Sequence, residues 1–346
     1  MCVIVGLSVY FILYHPRTPG SYEGYVCESI NTNKHNIVFN VSSEYKWDSF
    51  EKLLDSNGVK TSKYNLVILE LEDDVIFTLK KGVHVTLNLE KNGRFLLNKG
   101  GCCTFKGENN TLFTIINGKA LDSGGTIRQE EGTFEIIGTS LYCKNSEAEF
   151  GGGAYFIEGN LTLLNNDVSV SKLYFIDCNA TKKAGGGLNV WNATLNLCSD
   201  GVGIGCIRCT TSHHGAGFIM FMGHLGFIGN NTYILADMCE AGDRAGGIEF
   251  DGAQYWNINK EMVIDVKGNN CRLEANNSSS GGNNPSIILM SRGHIYGDHK
   301  LNIVASYNKI NKGCVVNTRT LFRHNNNITY KVDEDQCLSG VKCVCN

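Results

Sequence analysis

Gly151-Gly152-Gly153-Ala154-Tyr155, followed a few residues on by Asn160-Leu161-Thr162-Leu163, is the stretch that decides how this chain is read. The same pattern returns along the chain. Gly185-Gly186-Gly187-Leu188 leads to Asn192-Ala193-Thr194-Leu195, Gly215-Ala216-Gly217-Phe218 to His224-Leu225-Gly226-Phe227, and Gly246-Gly247-Ile248 to Tyr255-Trp256-Asn257-Ile258. With Gly124-Gly125 before and Gly281-Gly282 after, six glycine clusters recur at steps of 28, 34, 29, 31 and 35 residues. Recurrence on that scale signals stacked structural repeats.

The segments between clusters are short. Ala154 to Ile157, Leu161 to Leu164, Leu195 to Leu197, Phe218 to Met222 and Met262 to Val266 are rich in β-branched or aromatic residues and partly alternating, as strands are. Asn, Asp, Gly and Ser fill the intervals and suit turns. Helices of useful length do not fit between turns so closely spaced, whereas coils whose strands pair with the coils above and below, ~4.8 Å away, do. Glycine at the corner lets the chain turn where a Cβ would strike the next coil. The expected fold is all-β: a right-handed, single-stranded parallel β-helix with an N-terminal capping helix.

Gly-Gly-Ala-Tyr at 152 to 155, Gly-Gly-Gly-Leu at 185 to 188 and Phe175 shortly before Asn179 resemble the Gly-Gly-Ala and Phe-x-x-Asn repeats of polymorphic outer membrane protein-type β-helix adhesins. More broadly the chain resembles the right-handed parallel β-helix superfamily that includes pectate lyases and phage tailspikes. The resemblance covers Gly124 to Ile258 and implies a solenoid with an adhesive role.

Composition sets the compartment. Fifteen cysteines in 346 residues are many for a cytosolic protein. Cys2 to Tyr14 is an apolar run with the length of a signal-peptide core, too short to span a membrane, so residues 1–20 are expected to be a signal peptide or short anchor. Its removal leaves fourteen cysteines, an even number that favours disulfides in an oxidising compartment. Nine Asn-x-Ser/Thr triplets, at Asn40, Asn109, Asn160, Asn179, Asn192, Asn230, Asn276, Asn277 and Asn327, are candidate glycosylation sites on an exported chain. The formal net charge is −3 and no basic stripe is visible, which disfavours nucleic acid as a partner. Only three prolines interrupt the chain, in keeping with a hydrogen-bonded ladder.

The organisation follows. Residues 21–65 are expected to form an N-terminal cap, with a helix from Glu44 to Leu54 whose Trp47, Phe50, Leu53 and Leu54 cover the open end of the first coil. Residues 66–332 form the β-helix, and residues 333–346, with Cys337, Cys343 and Cys345, a disulfide-closed terminal cap.

Four constellations carry possible chemistry. Cys143, Cys178, Cys209, Cys239 and Cys271 lie 8, 7, 6, 7 and 10 residues before their glycine clusters, and are expected to stack as one column, as buried fillers or as disulfides between coils. Cys206 and Cys209 with His213-His214 have the ligand types of a zinc site, set against a solvated turn. Asp73-Asp74, Glu158, Asp200, Asp243, Glu249 and Asp251 are the carboxylates an enzyme on this fold would draw on, but they form no contiguous column. Trp191, Tyr255 and Trp256 are either sugar-stacking surface rings or interior stack members. No catalytic residue, metal ion or cofactor is assigned. The functional expectation is an exported, extracellular or cell-surface structural protein. It adheres to a glycan or surface protein and extends to end-to-end self-assembly. The alternatives are a polysaccharide-active enzyme, a glycan-binding tailspike-like module, or a virion surface component.

Overall fold

Lys172–Ile176 shows why the chain coils. Leu173 and Phe175 are fully buried while Lys172, Tyr174 and Ile176 face outward, the period-two pattern of a strand with one wet face. Residue for residue it pairs in parallel with Ser140–Lys144 on one side and with Gly203–Ile207 on the other. Repeated along the chain, this pairing makes a parallel β-solenoid. The computed structural model describes residues 27, 35–59, 67–71, 74–252, 254–255, 258–259, 262–282, 286–297, 299–310, 313–318, 322–324, 328–332 and 341–345.

Three walls enclose the core. The first is a 16-stranded sheet whose longer strands, such as Leu188–Leu197 and Phe218–Phe227, bend part-way at Asn192 and Met222. The second is a ten-stranded sheet from Ser43–Lys46 to Ile328–Val332, and the third a five-stranded sheet of two-residue strands from Glu147–Ala148 to Ser279–Ser280. A two-stranded antiparallel pair, Gln254–Tyr255 with Ile258–Asn259, stands apart from them.

Two kinds of corner turn each coil. Between the second and third walls a single left-handed residue recurs: Asn117, Asn145, Asp177, Arg208, Met238, Asn277 and Tyr307 all have φ between 49° and 60°. Asn and Asp tolerate this conformation, while Arg, Met and Tyr hold it only because the rungs on either side fix it. The glycine clusters make the other corner. Gly151 has φ 54°, and a Cβ on Gly152 would collide with the backbone of Asn179 in the next coil.

The helix runs Trp47–Ser56, later than expected, because Ser43–Lys46 is drawn into the second wall by pairing with residues 85–88. Phe50 and Leu54 are fully buried, and the Phe50 ring sits within 5.5–6.4 Å of the rings of Phe39, Tyr45, Phe77, Phe95 and Phe113, sealing the first coil. The stack is longer than the expected 66–332. It begins at His35–Phe39, which pairs with Val75–Leu79, and continues to Val341–Cys345, which pairs with Gly313–Thr318.

Disulfides join Cys27 to Cys198 and Cys314 to Cys345, and Cys343 is also disulfide-bonded. Cys345 thus ties the last described strand to its neighbour, while residues 333–340 of the expected terminal cap lie outside the described residues. Among the described residues no helix is long and apolar enough to cross a membrane. Residues 1–20, Asp73, Trp256, Asn327 and Cys337 lie outside the described residues, as does the side chain of Tyr255.

Candidate functional site

The cysteines do not form one column. Cys143 aligns with Phe175 and Cys206 in the second wall, and Cys271 lies beside Thr232, whose hydroxyl reaches its sulfur at 3.2 Å. Only Cys178, Cys209 and Cys239 stack on one another. Each is a thiol directed at a carbonyl of the preceding coil: Cys143, Phe175 and Cys206 supply the oxygens at 3.5, 3.4 and 3.3 Å. The distance from cysteine to glycine does not set the column, since Cys178, Cys209 and Cys239 stack at spacings of 7, 6 and 7; the place of the thiol relative to the second-wall strand does. All five are buried and none forms a disulfide. Burial pushes the thiols of Cys143, Cys178 and Cys206 well above their ordinary value, so they are inert packing groups.

The zinc constellation also comes apart. Cys206 and Cys209 point into the core, whereas His214 Nδ1 lies 2.8 Å from Glu249 on the outer side of the long wall. Among the described residues no group of three His, Cys, Asp or Glu side chains is placed to hold a metal ion.

Of the candidate carboxylates, the fold brings together Glu249 and Asp251, two residues apart on Ile248–Asp251 and therefore on one face. Glu249 is fully buried between His214 and Arg244, whose guanidinium lies 3.3 Å away, and Asp251 accepts a hydrogen bond from Ser291. Ile219 and Phe221 flank the pair on the next rung, where Trp191 packs on Phe221 at 5.2 Å between centroids. Trp191 is thus an outward, half-buried ring. A buried, ion-paired carboxylate of this kind has no approach for a glycosidic oxygen. The other acids are dispersed: Asp74 receives the Cys102 amide at 2.7 Å, Glu158 the Asn192 amide at 3.3 Å, and Asp200 the Asn230 backbone at 2.8 Å, while Asp243 is exposed.

The outer face of the second wall holds a feature not read from the sequence. Tyr142 and Tyr174 are successive rungs of one column, their rings 5.2 Å apart and edge to face. The next residue in that column is Gly205, and the rung-mate of Tyr233 is Gly203. Tyr174 leans over Gly205 and Tyr233 over Gly203, where a Cβ on either glycine would strike the ring, and their hydroxyls meet at 2.7 Å. Burial first, and then that hydroxyl contact, raises the Tyr174 pKa, so its phenol stays neutral. Arg272 lies over the Tyr233 ring and Lys144 over Tyr142, each 5.4 Å from the centroid. The result is a half-exposed platform of three tyrosines with Ile176, Ile207 and Leu235 around it. Gly203-Ile204-Gly205 on a strand, with both glycines facing outward, was the available signal.

The glycosylation triplets divide. Asn40, Asn109 and Asn277 are exposed, whereas Asn160, Asn179, Asn192, Asn230 and Asn276 are half-buried within the rungs. Several are already engaged: Asn179 accepts from Thr210, Asn230 donates to Asp200, and Asn277 donates to Asp237.

Compared with family models, with curated proteins and with solved structures, the chain matches none of them.

Proposed function

We propose that the protein is an exported, non-catalytic structural protein that displays its second wall as an adhesive face for glycans at a cell surface. The observation that carries the reading is the Tyr142, Tyr174 and Tyr233 platform, bedded on two glycines and half open to solvent. Flat aromatic faces beside cationic and amide groups suit the apolar faces and hydroxyls of sugar rings. Supporting it are the resemblance of the glycine repeats to β-helix adhesins, the disulfides and the exposed triplets at Asn40 and Asn109. The burial of Glu249 weighs against a polysaccharide-cleaving role, and the helix-sealed first coil weighs against end-to-end filaments.

The test is binding of the purified chain to immobilised neutral and acidic oligosaccharides. Replacing Tyr174 and Tyr233 together by Ala is expected to weaken binding about thirtyfold, taking roughly 1 kcal/mol per ring. Unchanged binding in a variant that keeps its unfolding midpoint refutes the platform as the adhesive site.

A further inference from the structure

A second recess lies on a different face, at coils that precede most of the glycine clusters. It is a cavity of about 470 Å³ on the outer side of the long wall, within the range of small-ligand sites. Val67 pairs with Arg94 and Leu97 with Arg128, so neighbouring rungs present these side chains to it, and the segment 119–122 lines its other side.

Its polar groups are ionised and balanced. Arg94 and Arg128 both donate to the Asp122 carboxylate, and Arg128 also meets Glu130 at 2.6 Å. Lys99 pairs with Glu70, and Lys119 with Glu147 at 3.2 Å. Burial lowers the Arg94 pKa against the pull of Asp122, and burial raises the Asp122 carboxyl until the two arginines outweigh it and hold it below its usual range. Arg94 is 5% exposed, yet its Nε, like that of Arg128, has no acceptor in the fold. The network is therefore short of oxygen lone pairs while already neutral in charge. Leu97 and the 79% exposed Leu121 add an apolar flank.

An anion entering this recess meets Asp122 and Glu130, and a cation meets the two arginines. A hydroxyl pair meets neither obstacle, since each hydroxyl both donates to a carboxylate and accepts from a guanidinium. We propose that the recess lined by Arg94, Asp122, Arg128 and Glu130 is a binding site for a neutral sugar residue, whose vicinal hydroxyls bridge the acids and arginines while its ring face lies on Leu97 and Leu121. The site deepens the glycan reading but does not share its residues, so the two fail separately.

The probes are glucose, galactose, mannose and N-acetylglucosamine, with glucuronate as the acidic control, titrated into the full chain and followed by NMR or calorimetry. At least one neutral sugar binds with a dissociation constant on the order of 1–10 mM. Arg128→Met weakens it at least tenfold, while the Tyr174 and Tyr233 double variant leaves it unchanged. Asp122→Asn shifts preference towards glucuronate. Because that change strands the buried Arg94, Glu130→Gln is measured beside it, and it gives the same shift with the fold intact. Binding of glucuronate but of no neutral sugar, binding of neither, or neutral binding indifferent to Arg128→Met overturns the assignment.

Discussion

The coils around Phe39, Phe77, Phe95, Phe105 and Phe113 and the coils around Cys206, Ala236, Ala275 and Ala305 fill the same interior in different proportions, rings crowding the first and one small-residue column running through the second. In the first region the rings crowd together: Phe77 stacks on Phe105 at 5.0 Å, and Phe105 meets Phe113 edge to face at 4.9 Å. In the second, one interior column of the second wall runs Cys206, Ala236, Ala275, Ala305, all fully buried and small. The third wall accounts for the difference. Among the described residues it starts only at Glu147–Ala148, so the early coils show no short strand closing the cross-section, and large rings occupy that width. Once the third wall and the glycine corners are present, this column carries only a thiol and methyls, while rings such as Phe218 and Phe250 still fill other columns of the interior. Gly187 packs closely on this column, because a Cβ there would press on the Cys206 sulfur. A solenoid can therefore hold one rung spacing while changing what fills it.

The largest way to break this comparison is to sever the covalent tie between the two regions. The Cys27 to Cys198 disulfide closes a loop with a sequence separation of 171 residues. Cys198→Ser is expected to cost about 5 kcal/mol on the chain-entropy model, read as a lower denaturant midpoint than that of the unreduced chain. A smaller loss, of about 3–5 kcal/mol, is expected for Phe50→Ala, which opens the ring stack at its sealed end. Cys206→Ala, a much smaller deletion, is expected to cost about 1 kcal/mol, and equal losses at the two sites would erase the proposed contrast.

The coils around Cys143, Cys178 and Cys206 should respond to alkali. Their buried thiols titrate at higher pH in the folded chain than in the unfolded one, so folding favours the protonated form. That stability is present below the ordinary thiol value, about pH 8.5–9, and is lost as pH rises towards the folded value. Thermal midpoints should fall above about pH 9, and Cys178→Ala should flatten the decline. The most local effect is expected at the platform: Gly205→Ala lifts the Tyr174 ring and costs about 1 kcal/mol, and the NMR signal of the hydroxyl proton shared by Tyr174 and Tyr233 should disappear with it.

The repeat was legible because glycine has one physical role that recurs in register, and Gly151-Gly152-Gly153 alone nearly defines a coil. The second corner was not legible, since Asn145, Asp177, Arg208 and Met238 share a conformation but no chemistry. Ser43–Lys46 reads as the start of a helix, and only its partner strand, some forty residues later, makes it a strand. The same limit hid the site. Tyr174, Gly205 and Tyr233 become neighbours only once the register of three coils is known, and locally only the alternating glycines of Gly203-Ile204-Gly205 point to it. His214 and Glu249 were each weighed for chemistry, in separate constellations, and the fold spends one on the other.

The bond between Cys27 and Cys198 also alters how the molecule answers a pull. Tension applied at the head of the chain passes through the sulfur bridge to the middle of the rod and continues from there towards the tail. The turns between the two sulfurs, the phenylalanine-filled ones among them, hang outside that route as slack, so they keep their shape under a tug that begins to unzip the coils after Cys198.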